Sequence, residues 1–274
     1  MTPATLRAVR ARAYARLRAT ADSLLRQGLP PDHPEIVRVL CAAARALGVR
    51  LAPVPDLLLR DELRRTFGLD ARTLHPVIRE AHDVALQARV DLVLARAMDD
   101  AQLDGMVRVR GALRAPCVVV APTTAPPELL ARVIRRLAGA AAVRLVPDAH
   151  GTAGDAAAAL AGGGVVVAPF DHRGWQSYDT VTFLGRPATL PDGPWALARA
   201  AGVLVVPATL VRAPDKGYRG KLGAPRPPDR EAYLREEAEP FLRAHPGHYA
   251  AFLATCRRAP AEKEPQRPLF LDPP

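Results

Sequence analysis

The run Val165-Val166-Val167-Ala168 constrains this chain more than any other stretch. Four consecutive apolar residues leave no side for water, so a strand made of them must be covered on both faces, as in a parallel sheet packed between helices. Cys117-Val118-Val119-Val120-Ala121 and Val203-Leu204-Val205-Val206 obey the same rule. Pro169 stops the first run, because proline cannot donate to a ladder. Met106-Val107-Arg108-Val109-Arg110 alternates instead, which predicts an edge or half-exposed strand. Further strands are expected at 143–146, 180–184 and 218–222, with 208–212 extending the strand at 203–206 beyond Pro207. Helices are expected at 127–138, 155–161, 195–201, where Gly202 closes the helix, and 230–244, where Asp229 is a good cap. Gly162-Gly163-Gly164 precedes a strand rather than a helix. A phosphate cradle needs the amides of a helix start, so this glycine run reads as a turn.

Ahead of these elements the chain reads as helical, at 3–27, 34–48, 56–66 and 73–98. The 3–27 segment sets Leu6, Val9, Ala13, Leu17, Ala21 and Leu24 on one stripe, with arginines around the rest. The first fifty residues hold nine arginines against Asp22, Asp32 and Glu35. Two readings of that segment stand: peripheral contact with an anionic membrane surface, or a solvated helix whose stripe packs on the core. The domain expectation is a basic helical region at 1–100, an α/β core at 101–258 and a disordered, proline-rich tail at 259–274.

Of 274 residues, 49% are hydrophobic, enough for a full core. The net charge of +10 is carried almost wholly by arginine, the only lysines being Lys216, Lys221 and Lys263. With no asparagine present, that bias also fits a GC-rich genome. The pattern lacks the aromatic interleaving of a nucleic-acid binder, so no nucleic-acid partner is expected. Cys41, Cys117 and Cys256 lie far apart among apolar residues, which predicts buried thiols in a reducing compartment. No apolar run approaches the roughly 18 residues of a membrane span, and the amino terminus lacks a signal peptide's apolar core. A cytoplasmic location follows, with the inner face of the membrane as the place of any peripheral contact.

The densest polar cluster, Asp171-His172-Arg173 followed by Gly174, comes directly after the apolar run at 165–168. Ligands of α/β sheets bind beyond the carboxyl ends of strands, so chemistry is expected here. A histidine beside an acid can be held in one tautomer and polarised. Neighbours on an extended chain point in opposite directions, however, so adjacency alone does not bring Asp171 onto His172. Arg173 suits a phosphate or carboxylate, which a guanidinium binds bidentately; the plainer reading is a surface arginine. His75 and His82 share a helix face without enough further ligands for a metal, and no metal or cofactor is expected.

The order Asp171, Phe183-Leu184-Gly185-Arg186-Pro187-Ala188, Gly193 and Leu197-Ala198-Arg199-Ala200-Ala201-Gly202, with Val206-Pro207 after it, resembles the late acyltransferases of lipid A biosynthesis, members of the lysophospholipid acyltransferase superfamily. Phe67-Gly68-Leu69-Asp70, Val107-Arg108-Val109-Arg110-Gly111 and His245-Pro246-Gly247-His248-Tyr249 extend the likeness across residues 60–257. It implies an α/β three-layer acyltransferase-like domain with a mixed, largely parallel sheet. It also implies transfer of a fatty acyl group from coenzyme A or an acyl carrier protein to a hydroxyl or amine of a lipid or glycolipid.

In that family the strand corresponding to 118–121 is followed by a histidine and, five positions later, an acid. The histidine takes the proton of the attacking hydroxyl and the carboxylate orients it. Here the acid position is Glu128 and the histidine position is Thr123. Threonine is no base near neutral pH, and losing a positioned base removes about 10²–10⁴-fold in rate. Asp171 lies only 43 positions after Glu128, too few for the further strand-and-helix unit usual in the family, which helps bind the acceptor. The expected site is therefore Glu128, His172 and Asp171 as catalytic residues, His172 or else His150 replacing the lost base, with Arg173, Thr123 and Gly185 binding substrate. The alternative is a catalytically inactive lipid-binding or partner subunit on the same frame.

Overall fold

The computed structural model describes residues 56–95, 98–122, 127–146, 152–171, 175, 177–212 and 217–249, with isolated positions elsewhere. The expected helices at 3–27 and 34–48 and the tail at 259–274 lie almost wholly outside the described residues.

Helix α1, Asp56–Phe67, ends at Gly68, whose φ of 64° returns the chain, and Asp70 starts α2, Ala71–Ala95. The Asp70 carboxylate accepts from Thr73 N at 2.8 Å and Arg72 N at 3.1 Å, covering amides the first turn leaves open. A helix at 73–98 was expected, but α2 stops at Ala95 and a separate helix α3, Asp100–Met106, follows. The cause is local: Asp99 and Gln102 form a reciprocal capping box, which starts a new helix and draws Met106 out of the strand.

The strands are β1 (Val107–Arg110), β2 (Cys117–Ala121), β3 (Val143–Leu145), β4 (Val165–Pro169), β7 (Leu204–Arg212) and β8 (Tyr218–Leu222), in the spatial order β1-β8-β7-β2-β4-β3. Four of them, β7, β2, β4 and β3, run parallel; β8 turns back antiparallel to β7, and β1 lies parallel to β8. β7 serves both halves. Its first part pairs with β2 from Leu204 to Pro207, and its second pairs with β8 from Ala208 to Arg212. Every residue of β2 and β4 is buried, as the apolar runs require.

Helix α4 (Pro127–Leu137) connects β2 to β3, α5 (Thr152–Ala161) connects β3 to β4, and α6 (Gly193–Ala201) leads into β7. The core divides by strand alternation. Val118, Val120, Val166, Ala168 and Val205 face α5, α6 and the first half of α2. Cys117, Val119, Val165, Val167 and Val206 face α4, α3 and the second half of α2.

One element was not expected. Residues 186–191 contain Pro187 and Pro191, which argue against a strand, yet β6 (Arg186–Pro191) pairs antiparallel with β5 (Tyr178–Phe183). In a two-stranded ribbon each strand has an open edge, where a proline removes no ladder bond. Beyond β8, Asp229 caps α7 (Arg230–Tyr233) by accepting from Ala232 N at 3.0 Å. The helix expected at 230–244 continues through a π-helical turn, Leu234–Ala238, into α8 (Glu239–Ala244). Among the described residues no helix is long and apolar enough to cross a membrane.

Candidate functional site

At the carboxyl edge of the parallel strands, β2 and β4 pair to their last residues, Ala121 opposite Pro169, and Phe170 N donates to Ala121 O at 3.0 Å. Asp171 follows immediately and is 1% exposed. Glu128 is the second residue of α4, the helix that begins after the β2 connection. Glu128 and the buried Asp171 thus follow the same edge, from neighbouring strands. Thr123, His150, His172 and Arg173, and the side chain of Glu128, lie outside the described residues.

The position of Asp171 is set by what precedes and follows it. Phe170 is fully buried against Phe183, Trp195, Tyr233 and Phe252, with ring centroids 5.6–6.5 Å apart. Trp175 Nε1 donates to Pro169 O at 3.2 Å, which holds the indole at the end of β4. The indole of Trp175 lies on Gly193, the first residue of α6, where a Cβ would meet Trp175 Cε3 at 1.9 Å. Only glycine fits beneath that ring.

Tyr233 stands beneath the site and was not singled out from the sequence. Burial raises its phenol well above the usual range, and the negative charges of Asp171 and Glu237 add to the effect. Arg226 works against it; its guanidinium binds Glu236 at 3.0 Å and Glu237 at 2.9 Å. Tyr233 therefore stays a neutral hydroxyl at any ordinary pH. Sequence offered no signal for this group, because Tyr233 comes within electrostatic reach of Asp171 only after β7 and β8 have been crossed.

Gly185 is accounted for by its turn. Leu184 and Gly185 have φ of 53° and 77°, the pair of left-handed residues that a two-residue hairpin loop requires. Leu184 N donates to Glu239 Oε1 at 2.8 Å, and Arg186 Nη1 lies 3.3 Å from the buried Glu62 Oε2. The loop is thereby tied to α8 and α1. Other residues of the acyltransferase-like pattern behave alike: Gly68 and Gly202 take φ of 64° and 63° at helix ends, and Gly111 passes Leu222 so closely that a Cβ would sit 2.8 Å from it.

His248 is 1% exposed, its Nδ1 has no hydrogen-bond partner, and burial lowers its pKa to about 4. It packs with His245 and Phe241 as a neutral ring. Cys117 is buried and its thiol is raised to about 11, which makes it inert as a nucleophile. No group of three or more His, Cys, Asp or Glu among the described residues could hold a metal ion.

No family model matches the sequence, and no significant match to it is found among curated proteins.

Proposed function

We propose that this chain is an acyltransferase-like protein that binds a fatty acyl thioester of coenzyme A or a carrier protein at the carboxyl edge of its parallel strands. The observation supporting this most is the shared edge of Glu128 and Asp171, which leave adjacent, fully paired strands. The covered sheet with apolar strands fits a three-layer acyltransferase-like fold. In the transfer reaction His172, or else His150, takes the proton of an acceptor hydroxyl on a lipid or glycolipid. The oxygen attacks the thioester carbonyl, the tetrahedral oxyanion collapses with loss of the thiolate, and that proton passes to the leaving sulfur. Arg173 binds the anionic part of donor or acceptor. Asp171 orients the imidazole, and Glu128 lies on the α4 side of the site.

Thr123 at the base position supports the second reading, a lapsed enzyme that keeps the acyl site as a binding or partner subunit. Acyl transfer from radiolabelled acyl thioesters to a panel of lysolipids and glycolipids separates the two readings. Activity lost in His172→Ala or His150→Ala establishes a relocated base. No turnover, with acyl thioesters still raising the melting temperature, establishes the binding protein; neither turnover nor protection refutes both.

A further inference from the structure

We propose that the outward face of β1 and β8 is a docking surface for an anionic phospholipid bilayer. The strands are parallel and in register, so Arg108 stands opposite Arg219 and Arg110 opposite Lys221, all four exposed. Their alternate neighbours Val107, Tyr218 and Leu222 face the core. Adjacent strands lie about 5 Å apart and alternate residues about 7 Å apart, so four cations start from a rectangle of that size. The adjoining outward positions of β7 are Thr209 and Val211, and no carboxylate occupies this face of the three strands.

Charge on β1 alone would protect an open sheet edge. β8 is not an edge, since it pairs with both β1 and β7, so Arg219 and Lys221 gain nothing of that kind. Like charges directly opposite one another destabilise a sheet. Arg110 and Lys221 form such a pair, and an external anionic surface offsets their repulsion. Among the described residues no ion pair reaches Arg108, Arg110 or Lys221. Arg114, exposed just beyond β1, extends the positive face. The only aromatic side chain of the two strands, Tyr218, is buried, so the face offers no ring on which a nucleic-acid base could stack. A bilayer of anionic headgroups meets a flat set of cations without needing a pocket.

The test is sedimentation of the full chain with vesicles of phosphatidylcholine alone or with phosphatidylglycerol added. Binding is expected only with phosphatidylglycerol, and is expected to fall when salt shortens the Debye length from about 10 Å to about 3 Å. Each surface cation is worth about fivefold in partitioning, so Arg110→Gln/Lys221→Gln should weaken binding about 25-fold. Two control pairs remove the same charge elsewhere: Arg64→Gln/Arg72→Gln on α1 and α2, and Arg10→Gln/Arg12→Gln near the amino terminus. An unchanged melting curve shows that each variant is folded. Equal losses in all three variants would reduce the effect to net charge and overturn the proposal. So would loss confined to the amino-terminal pair, absence of vesicle binding, or binding of a duplex oligonucleotide in place of vesicles.

Discussion

The two halves of the central sheet solve different problems with one continuous strand between them. In β2 and β4 all ten side chains are buried and none carries charge. In β1 and β8, buried and exposed positions largely alternate and the exposed set is cationic. The first half has a core on both faces and therefore a protected carboxyl edge, where Asp171 emerges. The second has a core on one face only and leaves the other to solvent or to a partner. β7 belongs to both, and a buried polar joint holds its far end: Asp91 of α2 accepts from Arg212 Nε at 2.7 Å, Arg212 Nη2 at 3.2 Å and Tyr218 OH at 2.8 Å. A site and a surface can thus share one sheet, provided something stops the exposed half from peeling away.

That joint is where the comparison breaks most readily. Arg212→Leu leaves the Asp91 carboxyl buried without its cation, and the expected loss is about 3–5 kcal/mol at pH 8 by urea unfolding. Burial already raises the Asp91 carboxyl to about 6, so the folded state holds its proton more tightly than the unfolded state does. The stability this group contributes is full below pH about 4 and is lost as pH rises through about 6. Losing the arginine raises that pKa further, so the variant should recover much of its deficit at pH 5. A pH-independent loss would show that packing of the arginine stem, not charge, holds the joint.

A smaller effect separates the halves themselves. Val167→Ala removes side-chain volume from a strand covered on both faces, and should cost about 2 kcal/mol. Val109→Ala, on a half-exposed edge strand, should cost less than about 1 kcal/mol. Equal costs in denaturant titrations would mean that the second half is as much core as the first.

The smallest effect concerns the cations. Arg110→Gln relieves a like-charge pair with Lys221 and should change stability by no more than about 0.5 kcal/mol, in the stabilising direction. A clear loss of melting temperature would make Arg110 a structural residue and remove it from the docking surface.

Much of the fold was legible because burial on both faces writes itself as uninterrupted apolar residues. Val118 to Val120, Val165 to Ala168 and Val205-Val206 all form the strands they predict. Caps at Asp229 and Gly202 were legible for a similar reason, since one residue's geometry decides them. β6 was not, because whether Pro187 and Pro191 interrupt a ladder depends on how many neighbours the strand has. At the candidate site, Asp171 could be marked from its place after an apolar strand run, and Glu128 only through the acyltransferase resemblance. Tyr233, whose phenol feels the charge of Asp171, could not.

The sequence by itself determined which segments must hide from water, where the caps at Asp229 and Gly202 fall, and that Asp171 follows a buried strand. Those are properties of short stretches, fixed by side-chain polarity and local backbone geometry. Only the tertiary structure decided that β8 pairs with β1 as well as β7, placing Arg110 opposite Lys221, and that Asp91 meets Arg212 and Tyr218 more than a hundred positions away in the chain. Such contacts depend on the register and order of strands. They arise from the joint packing of both sheet faces, and no single segment encodes them.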